Sequence, residues 1–171
     1  MTLIASAEEV LRQGLVLLQS VGEENYRRRQ DGPHGSPLGA HYRHVLDHFI
    51  CLLDGVSSGI INYDARQRNT ELEISIEAAS AVTTDMIATL RRLPESVLKF
   101  DCQVIYSLGY GDAAASAVNS NFARELAFCV GHAIHHYAIL RLLCSAMAVN
   151  LPYEFGVAPS TLKHMGALAA H

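Results

Sequence analysis

Six of the nine histidines fall into two short groups whose spacing suits residues on one side of a helix. The groups are His41, His44 and His48, followed by His132, His135 and His136. The neutral imidazole is the commonest metal ligand near pH 7. His132 and His136 are four residues apart, so on a helix their Cβ atoms would lie about 5–6 Å apart on one face. That spacing allows two imidazole nitrogens to approach one ion at about 2.0–2.1 Å.

A third histidine from the first group would complete a three-histidine site with one coordination position left open. Open three-ligand sites are the catalytic kind, because a bound water or thiol can be activated by the ion there. Three imidazoles suit several divalent transition metals, among them Zn, Ni and Fe. The alternative is a hydrogen-bonded network with Tyr42 and Tyr137, because buried imidazoles need partners for their nitrogens.

The position of the histidines on a helical wheel indicates that both groups face the core. The first group lies within an arc of about 60° at about 100° per residue, and Val45 and Leu52 share that arc. The second group spans an arc of about 100° that also holds Phe128, Ile139 and Leu143. Two inward-facing groups on separate helices favour one shared metal site. Geometry alone leaves the third ligand open among His41, His44 and His48.

The elements that must position these residues are four long helices. Apolar periodicity predicts helices over 3–29, from Ser36–Pro37 to about 58, over 70–93, and from Ser120 or Asn121 to 149. A polar loop is expected over 59–70, a short β-hairpin over 97–118 and a last short helix from Pro159. The predicted fold is therefore all-α, a four-helix bundle with a small inserted β-hairpin and a short C-terminal helix. We expect one domain over residues 1–171.

Composition narrows the classes of function. Of 171 residues, 50% are hydrophobic and the net charge is −4, which argues for a globular domain and against a nucleic-acid binder. No apolar run reaches the roughly 18 residues of a membrane span, because histidines and Arg141 interrupt the stretch 127–149. The four cysteines lack a CxxC pattern and are expected to be reduced thiols. The first residues lack a basic signal region, and we expect a cytoplasmic protein.

Two segments resemble a known family. Residues 36–48, SPLGAHYRHVLDH, resemble the second-helix motif of the DinB-like metal-binding four-helix bundles, in which a histidine is followed three residues later by Asp. Residues 132–136, HAIHH, resemble the HxxxH motif that this superfamily carries on a late helix. The resemblance implies His44, His132 and His136 as the metal ligands. It departs at Ala138, where the sulfoxide-synthase members have Glu, and in the absence of Trp.

The resemblance implies a metal-dependent enzyme of the hydrolase or low-molecular-weight-thiol transferase type. We expect a small-molecule substrate such as a thiol and a second copy of the chain in a homodimer as partners, and the charge and hydropathy of the chain predict no nucleic acid and no membrane. The alternative is a non-catalytic metal-binding or stress-related bundle that acts through dimerisation.

Several further residues are candidates for catalysis or substrate binding. Glu125 lies seven residues before His132. It is a candidate general base, or a hydrogen-bond acceptor for a metal-binding histidine. The alternative is a surface ion pair with Arg124. His48 would lie one turn from the ion as a proton shuttle or substrate contact. Asp47 could orient a ligand histidine or face solvent. Arg66 and Arg68 are candidates to bind an acidic substrate group, or are ordinary loop charges.

Overall fold

Four long helices form the body of the protein, which is described by a computed structural model over residues 2–29, 35–107, 109–110 and 115–169. The helices are α1 (Leu3–Arg27), α2 (Leu38–Asp54), α3 (Glu71–Ile74), α4 (Ile76–Arg92), α5 (Phe122–Ala146) and α6 (Pro159–Ala169). A 3₁₀ turn at Glu95–Lys99 follows α4. α1 packs against α4 and α5, and α2 packs against α5. The predicted helical bundle with a short C-terminal helix is confirmed.

The core lies between α1, α2, α4 and α5. These helices bury apolar side chains such as Leu11, Leu46, Phe49, Leu90 and Leu140 on their facing sides. Burial of each such side chain stabilises the fold by about 1.5–3 kcal/mol relative to exposure. α2 and α5 carry the two histidine groups, so the packing of α2 on α5 sets the distances between these groups.

The helix ends follow the capping residues, with small shifts from expectation. Asn121 caps α5, because its side-chain oxygen accepts from the Arg124 N–H at 2.9 Å. α2 begins at Leu38 with Pro37 as the flanking residue and no side-chain cap, so the predicted cap at Ser36 is wrong by one position. α2 ends at Asp54, about four residues earlier than predicted.

The helix predicted over 70–93 is interrupted. Ser75 has extended backbone angles, φ −123° and ψ 113°, which separate α3 from α4. Its hydroxyl accepts from the Ala78 N–H at 3.1 Å and so caps α4. A serine inside an apolar helical pattern therefore marks the start of a new helix here.

The predicted hairpin is one part of a three-stranded sheet. β2 (Asp101–Tyr106) and β3 (Ser116–Asn121) pair antiparallel, with Val104 opposite Val118. β1 (Ile60–Asn62) pairs parallel with β2 on the other edge. The loop predicted over 59–70 therefore begins with a short strand, and this strand fixes the residues that follow it beside the bundle. His34, which lies in the Gly/Pro segment before α2 and is not expected to be a metal ligand, is outside the described residues.

Within the described part of the chain, α5 alone is long and apolar enough, by length and composition, to cross a membrane. It also supplies core residues, among them Cys129, Tyr137 and Leu140, which are buried against the other helices. The core helix of a soluble protein passes the same test of length and composition. Only 28% of the apolar window of α5 is buried, so the bundle covers one side of this helix and leaves apolar residues such as Leu142 exposed on another.

Candidate metal centre

Three histidines from two helices converge inside the bundle. α2 carries His44 and α5 carries His132 and His136, and one ring nitrogen of each lies within 4.8 Å of the others. The Nε2 atoms of His44 and His132 are 3.1 Å apart. Two nitrogens bound to one tetrahedral ion at about 2.05 Å would be about 3.3 Å apart. The arrangement is therefore close to the geometry that a shared ion requires.

The protonation state of the cluster suits a cation. Burial, together with the nearby histidines, lowers the pKa of His44 and of His132 to about 3. The same causes lower the pKa of His136 to about 4. All three rings are therefore neutral at pH 7 and carry a lone pair, which is the form that binds metal. The Nδ1 atom of His136 is buried without a hydrogen-bond partner. These residues fit a divalent transition ion.

The other three histidines of the two groups have different surroundings. His48 is buried, its Nδ1 lies 2.9 Å from the His44 carbonyl oxygen, and its ring centroid lies 4.1 Å from that of His132. His41 is half-buried, and its ring centroid lies 5.8 Å from that of His136. His135 is exposed, so the expectation that the whole second group faces the core is wrong for this residue.

A cavity of about 220 Å³ adjoins the cluster. His48 and Arg66 belong to its wall, and Arg66 also contacts the cluster, because its Nη1 lies 3.2 Å from His44 Nδ1. The wall consists of aromatic and charged side chains: His48, Tyr63, Asp64, Arg66, Tyr106, Arg124, Glu125 and Phe128. Such a mixture of apolar surface and a few polar groups is typical of small-molecule sites.

Glu125 lies in the wall of this cavity and is only 1% exposed. Its Oε1 accepts from Ser120 at 2.6 Å and from Arg124 at 2.9 Å, and its Oε2 accepts from the Tyr63 hydroxyl at 3.0 Å. The predicted partnership with Arg124 is present, but it is a buried carboxylate meeting an exposed guanidinium rather than a surface pair. Three donors hold Glu125 in place beside the cavity.

Sequence reasoning missed Tyr63, which is buried and stacks on His48 at 5.2 Å between ring centroids. Its position directly after β1 is what brings it to the cavity, and a three-residue strand leaves almost no pattern in the sequence. Asp47 is 2% exposed and accepts from Arg43 at 2.7 Å. The expectation that Asp47 faces solvent is therefore wrong, and the hydrogen bond that the structure shows goes to Arg43 rather than to a histidine.

The fold is similar to that of a solved bacterial structure. The structure resembles the crystal structure of a DinB-like protein from Bacillus subtilis, with a TM-score of 0.68 and 16% identity, over 91% of this chain and 99% of that one. At this identity the likeness shows the fold alone.

Among curated proteins, FK506-binding protein 5 of Rhizopus delemar is 34% identical over 108 residues, which are 62% of this chain. The match covers 28% of that relative's length, so the relative's name describes a much longer protein. The family model of the DinB superfamily matches residues 7–140, which is most of the chain. The chain therefore belongs to the DinB superfamily.

Proposed function

We propose that the chain binds one divalent transition ion on His44, His132 and His136 and acts as a metal-dependent enzyme on a small molecule. The observation that carries this proposal is the convergence of three neutral imidazoles within 4.8 Å of one another beside a cavity. Three protein ligands leave a coordination position for water or substrate, as catalytic zinc sites do. Hydrolysis or transfer of a low-molecular-weight thiol are the reaction types that the proposal includes.

The residues around the cluster have separate roles in this proposal. When bound, the ion would lower the pKa of a coordinated water or thiol or polarise a carbonyl group. His48 lies in the cavity wall, and its Nδ1 is 2.9 Å from the His44 carbonyl oxygen, which leaves its Nε2 as the nitrogen that can contact substrate or carry a proton. Glu125 has both oxygens occupied by donors, so it orients Tyr63 and Arg124 at the cavity. It serves as a base only if substrate displaces a donor.

Metal content tests the proposal directly. We expect about one Zn or Ni ion per purified chain after dialysis at neutral pH, measured by elemental analysis. His132→Ala and His136→Ala should each abolish tight binding, because two remaining ligands hold an ion far less firmly than three. His164→Ala, at an exposed position of α6, is the matched control and should keep the stoichiometry. A purified chain that binds neither added Zn nor added Ni would contradict the proposal.

A second pair of variants tests the choice of the third ligand. His44→Ala should lose the ion, whereas His48→Ala should keep it and change only reactivity, because the His48 ring lies in the cavity wall. The opposite result, with the ion lost in His48→Ala and kept in His44→Ala, would move the site one turn along α2. Metal affinity of the two variants, measured by competition with a chromogenic chelator, separates the two assignments.

A non-catalytic role through dimerisation is the second candidate. The exposed apolar side chain of Leu142 on α5, which is 72% exposed, supports it. We propose a homodimer on this basis, and sedimentation of the chain with Leu142→Glu tests it. A cytoplasmic location is also proposed, since Cys51, Cys102, Cys129 and Cys144 are all free thiols.

A further inference from the structure

Arg66 lies at the boundary between the histidine cluster and the cavity. Its Nη1 is 3.2 Å from His44 Nδ1, and its side chain also forms part of the cavity wall. It is partly buried, and its Nε is a buried nitrogen with no hydrogen-bond partner. The loop that carries it follows β1, so Arg66 does not belong to the rigid helices that carry the ligands.

The contact between Arg66 and His44 does not suit a metal-loaded cluster, and this step rests on the proposed function. A guanidinium only donates hydrogen bonds, so His44 Nδ1 accepts and the ring proton is on Nε2. Nε2 is the atom that faces His132, so ligation there requires the ring proton on Nδ1 instead. Arg66 cannot accept that proton. Metal binding therefore releases Arg66 from His44.

The released guanidinium would have no carboxylate bonded to it, although its charge acts on Asp47 from a distance. Within the described residues Arg66 forms no ion pair, whereas its neighbours do: Arg43 pairs with Asp47 at 2.7 Å and Arg124 pairs with Glu125 at 2.9 Å. Neutral imidazoles add no negative charge. The two carboxylates in the cavity wall already have partners, because Asp64 accepts from Ser107 and Glu125 is paired with Arg124. A divalent ion and Arg66 would therefore add about three positive charges beside the cavity, and such a field favours an anionic ligand.

We propose that Arg66 binds the acid group of a small aromatic or apolar carboxylate in the cavity, and that metal loading of the cluster frees Arg66 to do so. Tyr63, Tyr106 and Phe128 supply the apolar wall for the body of such a ligand. The cavity of about 220 Å³ has enough room, because an apolar cavity of roughly 150 Å³ holds benzene. Arginine is suited to this role because its planar fork matches a carboxylate.

Binding of benzoate to the full chain, measured by isothermal titration calorimetry with and without Zn, tests the inference. We expect Zn-loaded chain to bind benzoate at least about 10-fold more tightly than Arg66→Gln does, the usual effect of losing a charge-assisted hydrogen bond. Arg68→Gln removes the same charge from an exposed position of the same loop and should bind benzoate like the unaltered chain. Benzyl alcohol has no acid group, so its binding should not change in Arg66→Gln.

The affinity for Zn provides a second readout. Arg66→Gln should bind Zn at least as tightly as the unaltered chain. In this variant no guanidinium has to leave His44 before the ion can bind. The inference is overturned if the Zn-loaded chain binds benzoate equally with and without Arg66. It is also overturned if Zn leaves the benzoate affinity unchanged, as it would if the freed Arg66 paired with Asp64. A chain that holds no Zn at all contradicts the proposed function instead.

Discussion

Acidification of the metal-free chain should destabilise it well above the pH at which its carboxylates titrate. Burial lowers the pKa of His44 and His132 to about 3 and that of His136 to about 4. In an unfolded chain the same rings have a pKa of about 6.5. Between these values the unfolded chain binds more protons than the folded chain. Stability is therefore complete above about pH 6.5 and is lost as the pH falls toward 4.

The size of this effect follows from proton linkage. Each histidine that is neutral when folded and charged when unfolded changes the free energy of unfolding by about 1.4 kcal/mol per pH unit. These three residues together could contribute at most about 4 kcal/mol per pH unit, and His41 and His48, whose pKa values burial also lowers, act in the same direction. The three rings are partly exposed, and solvent screening reduces the effect. We expect about 1–2 kcal/mol per pH unit between pH 6 and 4.5.

Urea denaturation at several pH values, followed by circular dichroism after removal of metal with a chelator, measures this slope. His132→Ala should reduce the slope, because one buried imidazole is gone. His164→Ala should leave the slope unchanged, because its position on α6 is exposed. A free energy of unfolding that stays constant or rises on acidification from pH 6.5 to 4.5 would refute the reasoning.

Two further predictions concern the packing that supports the site. Gly14→Ala should lower the free energy of unfolding by about 1–3 kcal/mol, because the added Cβ would overlap the Tyr42 and Tyr137 hydroxyls in the core. Urea denaturation measures this change, and a free energy of unfolding equal to that of the unaltered chain would contradict the prediction. Arg43→Met should cost about 3 kcal/mol, because Asp47 is buried and loses the guanidinium that neutralises it. The loss should shrink in Arg43→Met combined with Asp47→Asn, and a double variant as unstable as the single one would count against the buried pair as its cause.

The sequence predicted the helices that carry the candidate ligands, because both have long apolar patterns and clear ends. The convergence of His44 with His132 and His136 followed from their spacing and the family resemblance, and the structure brings the three together. The resemblance was needed to choose His44, since the wheel places His41 and His48 in the same arc. The three histidines of the first group differ only in their position along the α2 axis. The axial position of α2 against α5 therefore decides which of them meets His132 and His136.

The error at His135 has a physical cause. α5 is apolar around most of its circumference, so its pattern does not reveal which side faces the core. Leu142 is exposed although it is as apolar as the buried Leu140. When a helix has no polar side, a helical wheel does not show which side faces the core. A residue at the edge of the histidine arc can then be buried or exposed.

The parts of the site that could not be predicted are those that depend on distant pairing. β1 has three residues and is held by β2, about forty positions along the chain. That pairing places Tyr63 and Arg66 at the cavity, and neither contact has a local sequence signal. The isolated charge of Arg66 in a polar loop looks the same whether it faces solvent or a buried histidine.

The division of the site between helices and a loop suits its proposed chemistry. The three candidate ligands lie on α2 and α5, whose packing is fixed by buried contacts such as the hydrogen bond from the Cys129 thiol to the His48 carbonyl oxygen at 3.6 Å. Rigid elements hold ligand atoms to the small tolerance that coordination requires. Arg66 instead lies on the loop after β1, where a change of partner costs little packing. The proposed metal ligands and the arginine that is proposed to change partner are therefore carried by different elements.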